Sequence, residues 1–568
     1  MRVTASRSLL IDLCAVVGRR HLLTRDHDTL RYRRGFRTPA SDVLAVARPA
    51  TLAQMWRLLL LLVRANVAII VQAANTGLTG GSTPDARIDR PVVIISTARI
   101  RGIHLLDDAR QAISIGGTSL SELEARLAPH DREPHSVIGS TCFGASVVGG
   151  ICNNSGGALI RRGPAYTEMA LYARLNQEGR LSLVNRLGVD LGSEPLEMLD
   201  RLERGDFVTA YSTARASDTG YEARVRAIDE QGPARFNADP RCLHEASGSA
   251  GRIAVFAVRT DTFARSRGVA TFYVGTNDPA MLTDLRRTML AAPDALPILA
   301  EYIHREAFDT ADRYGRDIFY AIRALGTKRL PALYAAKAAV DALGGRLGVD
   351  ALSDRILYRL GRLLPPHLPR RLRLWRDRFE HHLILRVEAD GVTGTRSAIE
   401  KAFAAHEGAM FECSPAEAAK AMLHRFVVAS AAVRRLAIDS ARFAGLVSLD
   451  VALPRSARTW DGSDEAPPHG SVAARLAYGH FFCHVFHLDY LVARGFDPAT
   501  VKASLLAGFE TRGAEYPAEH NVGRQYRAKP ALEAFYRNLD PTNRFNPGIG
   551  LTAVGADWRD APLSGENA

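Results

Sequence analysis

Two glycine-rich stretches, QAANTGLTGGS (Gln72 to Ser82) and GASVVGGICNNSGG (Gly144 to Gly157), restrict what this chain can fold around. The second holds five glycines and two adjacent asparagines in fourteen residues, without a charge. The first follows VAIIV, an apolar, β-branched run that reads as a buried strand. A strand that runs into Gly, Ala, Ser and Thr can turn successive backbone N–H groups toward one point and hold an anion there. Small side chains let that anion reach the main chain, and Asn75, Thr76, Ser82 and Thr83 add side-chain donors. No Gly-Lys-Ser/Thr ends the loop and it is not G-x-G-x-x-G, which excludes a P-loop and a Rossmann fingerprint. A tight turn explains one such loop, and close helix packing explains another. Several of them between Gln72 and Gly157 suit one long, phosphate-bearing cofactor lying against all of them.

At 568 residues the chain is too long for a single core, so two or three domains are expected. Lys plus Arg number 73 against 61 Asp plus Glu, a net charge of +12. Such a balance suits an acidic partner: an anionic membrane surface, nucleic acid or an anionic substrate. Six cysteines are scattered without a C-x-x-C pair, as expected of free thiols in a reducing compartment. LLIDLCAVVG is broken by Asp12 and lacks a cleavage site, and RLLLLLVR has six apolar residues where a span needs about 20. The expectation is a cytoplasmic chain whose membrane contact is peripheral.

Along the chain, LAQMWRLLLLLVRAN reads as a helix, and PVVIIST, RIAVFAVRTDTF and ATFYVGT read as strands. ARSRG, between the last two, reads as a hinge into a second domain. Between Arg346 and Arg378 nine arginines and three aspartates are interleaved with Leu, Ile, Tyr, Trp and Phe. This segment is either a solvated helical face or a surface that sits on anionic lipid. HHLILRVEADG and VSLDVALPR read as later strands with helical AEAAKAMLHRFVVASAAVRRLA between them. The final VGADWRDAPLSGENA reads as a frayed tail.

YGHFFCHVFHLDY places His480, His484 and His487 within eight residues. On a helix the three share a face; in a strand His480 and His484 share one and His487 opposes them. Imidazoles this close suit a metal, acid–base chemistry, or a buried set satisfied by neighbours. PAEHNVG sets Glu519 beside His520 in a turn.

The order QAANTGLTGGS, SVIGSTCFGASVVGGICNNSGG, RGPAYTEMAL resembles the FAD domains of the vanillyl-alcohol-oxidase (PCMH) family. With EPHSVIGS, YPAEHNVG and DPTN followed by NPGIG, the chain is similar from about residue 20 to 555 to that family's respiratory, membrane-associated D-2-hydroxyacid dehydrogenases. The resemblance implies an α+β fold: a two-subdomain FAD-binding domain (1–262, completed by 513–568), an α+β cap (263–512) and a helical basic insertion within it (305–380). It implies FAD contacts at Ala73, Ala74, Asn75, Thr76, Gly77, Gly81, Ser82, Gly139, Ser146, Gly156 and Val255. QAANTG lacks the histidine that tethers FAD in some relatives, so a noncovalent flavin is implied.

In the wider 2-hydroxyacid dehydrogenase family, a Gly-His…His motif and a Glu-His pair supply two metal-binding histidines, a metal-binding glutamate and a basic histidine. Gly479–His480, His487 and Glu519–His520 keep those spacings, whereas FFCHVF and Asn521 depart from the pattern. The implied metal ligands are His480, His487 and Glu519, for zinc or a similar divalent ion, and the implied base is His520. Arg434 matches the family's carboxylate-binding arginine. The expected reaction is oxidation of D-lactate to pyruvate, with electrons passed to a membrane quinone at the cytoplasmic face of the inner membrane. Rival substrates are D-2-hydroxyglutarate and glycolate. A nucleic-acid-binding protein without flavin, and a membrane scaffold with an inactive site, are the rivals of other classes; no nucleic-acid partner is expected.

Overall fold

Apolar, β-branched runs form three large sheets, beside a two-stranded one of Val189–Asp190 and Val208–Thr209, and the loops and turns leaving the large sheets' strands position the candidate site residues. The computed structural model describes residues 2–35, 38–135, 144–292, 296–326, 330–460, 467–555 and Trp558.

In the first sheet the order is Leu22–Leu23, Ala45–Ala47, Val92–Ser96, Ala68–Gln72, the last three parallel. The helix Leu52–Arg64 is the crossover between Ala45–Ala47 and Ala68–Gln72, the parallel strands on either side of Val92–Ser96. Thr51 caps that helix by accepting from the Gln54 N–H, and Leu52, Met55, Trp56, Leu59 and Leu62 line its buried face. The second sheet is antiparallel, in the order Ile103–Leu106, Gln111–Ile115, Ala254–Ala264, Ala170–Leu175, Leu181–Asn185. Its long central strand also pairs with Arg132–Pro134.

The third sheet has seven antiparallel strands: Ala409–Glu412, Ala270–Thr276, His381–Val387, Leu299–His304, Val472–His480, Val485–Ala493 and Phe443–Ala452. Alternation along each strand divides its side chains between two cores. Tyr302 and Leu383 pack beneath the helices Pro279–Ala291 and Val392–Ala405. Ile303 and Ile384 pack beneath Arg305–Tyr314 and Pro415–Ile438. Between Arg305–Tyr314 and the strand His381–Val387 come four more helices: Arg316–Leu325, Leu330–Arg346, Leu352–Leu363 and Arg370–Arg378.

The C-terminal return joins the first two sheets. Phe545 bridges Ile69, and the buried Arg252 guanidinium donates to Asn543 Oδ1 at 2.8 Å. The tail departs from its frayed reading at Trp558. That indole is buried, donates to the Asp540 carbonyl at 3.1 Å and lies under Arg252, 4.4 Å from its ring centre. A large aromatic face with a satisfied N–H and a cation above it is anchored well.

Candidate active site

The histidine segment is neither one helix nor one strand. Val472–His480 and Val485–Ala493 form a hairpin whose register pairs Tyr478 with His487, so His480 and His487 lie on one face. His484 sits in the turn at φ 57°, between the carbonyls of Pro454 (3.2 Å) and Trp460 (2.9 Å). The turn thus separates a histidine held by carbonyls from two that share one face of the hairpin.

A third element completes the cluster. The segment around Glu519 and His520 runs beside the strand Phe443–Ala452, with the Ala518 N–H on the Asp450 carbonyl at 3.0 Å. Asp450 Oδ2 accepts from the Glu519 N–H (2.8 Å), the His520 N–H (2.9 Å) and His520 Nδ1 (2.7 Å). Its other oxygen lies 3.4 Å from His487 Nδ1. Burial alone would raise the Asp450 pKa, but His520 first and then His487 hold it below its ordinary value.

His480 bridges two carboxylates, with Nδ1 2.7 Å from Glu301 and Nε2 3.0 Å from Glu519. Burial opposes its charge, yet Glu301 and Glu519 outweigh burial and raise its pKa to about 10. Glu519 is pushed up by burial and pulled well below the usual carboxylate range by Arg235 and then His480. Arg235 is itself buried; it pairs with Glu519 and donates to the Gly157 carbonyl at 2.9 Å. The three donor atoms of His480, His487 and Glu519 lie within 4.8 Å of one another. Glu301 and Asp450 stand on the imidazoles' remote nitrogens, as the outer carboxylates of metal-binding histidines do. By spacing, this set fits a divalent ion.

The glycine stretches face this cluster. A Cβ on Gly156 would lie 2.5 Å from Glu519 Oε1, and one on Gly81 would lie 3.3 Å from Asn521 Oδ1. Ala73, Ala74, Asn75, Thr76, Gly77, Gly81 and Ser82 occupy a single connection after the strand Ala68–Gln72. Its side chains shape the loop: Gln72 donates to the carbonyls of Tyr32 (2.8 Å) and Ser82 (2.6 Å), and Ser82 donates to Asn75 Oδ1 (3.0 Å). Among the described residues, no backbone N–H from Asn75 to Ser82 has a carbonyl acceptor, and the space above Gly77 and Gly144 is open. A run of unpaired amides beside open space fits the pyrophosphate of FAD.

Ser146 caps the short helix Val147–Cys152 by accepting from the Gly149 N–H, and Val255 is buried in the central strand of the second sheet. Gly139 lies outside the described residues. The two asparagines brace the chain: Asn154 at φ 42° donates to the Cys242 carbonyl (2.8 Å), and Asn153 to that of Gly149 (2.8 Å).

Arg434 does not join the site. Its guanidinium is buried against Asp317 (2.8 Å) and Asp354 (3.5 Å), which tie Pro415–Ile438 to the inserted helices. Nine residues earlier on the same helix, about 13 Å along its axis, Arg425 reaches the cluster. Its Nε lies 2.8 Å from Glu301, and its guanidinium stands over Tyr478, 4.8 Å from the ring centre. Sequence reasoning passed over Glu301, Asp450, Arg235 and Arg425. The available signal for the two acids was a lone carboxylate inside an otherwise apolar strand, ILAEYIH and VSLDVA.

The family model described as D-lactate dehydrogenase, membrane binding, matches residues 271–558, and that described as FAD binding domain matches 43–176. Over 563 residues the chain is 48% identical to the quinone-dependent D-lactate dehydrogenase of Haemophilus influenzae, covering 98% of this chain and 100% of that protein. Over 568 residues it is 46% identical to the Escherichia coli enzyme of the same name, covering 99% of each. Among solved structures it is similar to p-cresol methylhydroxylase with substrate bound, at a TM-score of 0.58 and 12% identity over 97% of this chain and 98% of that one. That likeness shows the fold, a PCMH-type FAD domain carrying an α+β cap.

Proposed function

The chain belongs to the quinone-dependent D-lactate dehydrogenase family, and from that membership we propose that it oxidises D-lactate to pyruvate at the His480–His487–His520 cluster, on FAD held noncovalently, and passes the electrons to a membrane quinone. The observation that carries the assignment of roles is the 2.7 Å contact between His520 Nδ1 and Asp450. An imidazole that donates from Nδ1 to a buried carboxylate keeps its lone pair on Nε2, the arrangement of a general base.

FAD supplies the hydride acceptor when bound. His520 Nε2 takes the hydroxyl proton as the Cα hydrogen leaves with its bonding pair. His480, charged between two carboxylates, stabilises the alkoxide that develops. Arg425, in place of Arg434, takes the substrate carboxylate: its guanidinium is 8% exposed and borders the cluster from the cap side. Glu519 fixes His480, and Arg235 keeps Glu519 ionised. A divalent ion would be held by His480, His487 and Glu519 and would supply a Lewis acid beside the hydroxyl. To bind, it would take the place of the His480 proton.

In this reading residues 1–262 and 513–568 hold the FAD, and 263–512 form the cap. Within the cap, the 305–380 insertion meets lipid. Val340 and Leu343 share one helical face, Leu347 follows in the turn after that helix, and Ile356, Leu360 and Leu363 share another face; all are exposed. Arg359, Arg362, Arg370, Arg371 and Arg373, also exposed, rim them. Leucines flanked by arginines suit an anionic interface, here the cytoplasmic leaflet. No helix among the described residues is long and apolar enough to cross a membrane.

The test is an anaerobic absorbance spectrum of the purified protein before and after D-lactate, L-lactate, D-2-hydroxyglutarate and glycolate. Flavin bands bleached by D-lactate and untouched by L-lactate are expected. Bleaching by another acid alone would replace the substrate, and a colourless protein that FAD cannot reconstitute would overturn the reading.

A further inference from the structure

A second histidine cluster lies beneath the inserted helices and has no part in the chemistry above. His367, His382 and His424 are 2%, 0% and 1% exposed. His367 Nε2 stands 3.3 Å from His424 Nδ1, and His367 Nδ1 stands 3.5 Å from Asp312. Among the described residues, His424 Nε2 and both nitrogens of His382 have no hydrogen-bond partner. Buried donors and acceptors left open in this number call for a ligand. The walls are aromatic: Phe308 lies 4.3 Å from His424 and 5.3 Å from His382, and Phe319 lies 4.3 Å from His367, between ring centres. Burial keeps the imidazoles neutral, so each carries one N–H and one lone pair.

The position of the cluster narrows the ligand. Exposed Leu363, Leu364, Pro365 and Pro366 lead straight into His367, and the lipid-facing arginines Arg370, Arg371 and Arg373 come just after it. On the inner side His424 is the chain neighbour of Arg425, which reaches Glu301 and through it His480. The cluster therefore lies between the lipid face and the reacting centre.

We propose that His367, His424 and His382 form the headgroup site of the quinone. A quinone is a flat apolar ring with two carbonyl oxygens, and the site offers aromatic walls with imidazole N–H donors. One carbonyl accepts from His424 Nε2–H and the other from the His382 N–H, the nitrogens left open here, and the apolar tail leaves past Leu363 and Leu364. The rings touch, so the headgroup enters by parting the 364–369 connection from the helix Arg305–Tyr314. Overall, two electrons and two protons leave D-lactate; the quinone gains both, each carbonyl becoming a hydroxyl. His367, with Asp312 behind it, can pass a proton to the ring. This inference rests on the quinone-acceptor reading and locates it.

The experiment separates two half-reactions in the full-length, FAD-loaded protein, by anaerobic stopped flow. The first is reduction of FAD by D-lactate, and the second is reoxidation of dithionite-reduced enzyme by a short-tailed ubiquinone analogue. In His367→Phe and His424→Leu the second should slow at least tenfold, with a higher half-saturating quinone concentration, while the first keeps its rate. His367→Gln, which retains an N–H donor, should recover part of the loss. Unchanged reoxidation in both variants overturns the proposal, as does parallel loss of both half-reactions, which would make the cluster a structural support. A failed lactate assignment shows separately, as wild-type FAD that D-lactate leaves oxidised, and the quinone step is still read from the dithionite-reduced protein.

Discussion

Asp450 Oδ2 takes three donors at once, and His520 owes its tautomer to that one carboxylate. His520→Ala should therefore lower kcat for D-lactate by about 10²–10⁴, the usual worth of a positioned base, while FAD content stays as in the wild type. Asp450→Asn should also lower kcat, because an amide can orient the imidazole in its other tautomer. Rapid-mix kinetics with the bound flavin as reporter would check both: an unchanged kcat in His520→Ala would remove His520 from the reaction, and one in Asp450→Asn would remove Asp450 as its orienting partner. Glu519–His520 could be read from the sequence because the two are adjacent in a glycine-bounded turn. Asp450 could not, since its partners come from strands and turns 37 and 70 residues away.

At the scale of an element, one helix carries two arginines with opposite duties. Pro415–Ile438 is set by the Ser414–Glu417 capping box and buries Val427, Val428, Ala431 and Ala432 on the sheet. Arg425 leaves it toward Glu301, and Arg434 leaves it toward Asp317 and Asp354. Arg425→Ala should raise the KM for D-lactate at least tenfold. Arg434→Met should leave the KM alone and destabilise the fold by about 3–5 kcal/mol, the usual effect of breaking a buried pair from one side. Calorimetry and steady-state kinetics on the two variants would separate these roles; a KM effect at Arg434 would reverse the assignment. The helix itself is legible in AEAAKAMLHRFVVASAAVRRLA. Which arginine faces the site is not, because that depends on where the inserted helices pack.

At the scale of the whole molecule, the proposed lipid contact is the exposed leucines and arginines of the insertion. Replacing Ile356, Leu360 and Leu363 together by Ser, or Arg370, Arg371 and Arg373 together by Gln, should each weaken binding to anionic liposomes. The arginine variant alone should also lose most of its salt dependence, since charge attraction is what salt screens. Sedimentation with liposomes at two ionic strengths would check this, and unchanged binding in both would move the membrane contact elsewhere. The sequence by itself determined what is local or carried by short motifs: the glycine loops, the crossover helix after Thr51, the strands that alternate or run apolar, the basic helical segment, and the Glu519–His520 pair. These come from backbone freedom and side-chain periodicity, which neighbours along the chain share. The tertiary structure decided the hairpin that joins His480 to His487 and turns His484 away. It also decided the carboxylates that charge one imidazole and orient another, the packing of Arg425 rather than Arg434 against the cluster, and the burial of Trp558. Each of these depends on groups far apart in the chain meeting where water is excluded, and there a single contact fixes which form of a titratable side chain exists.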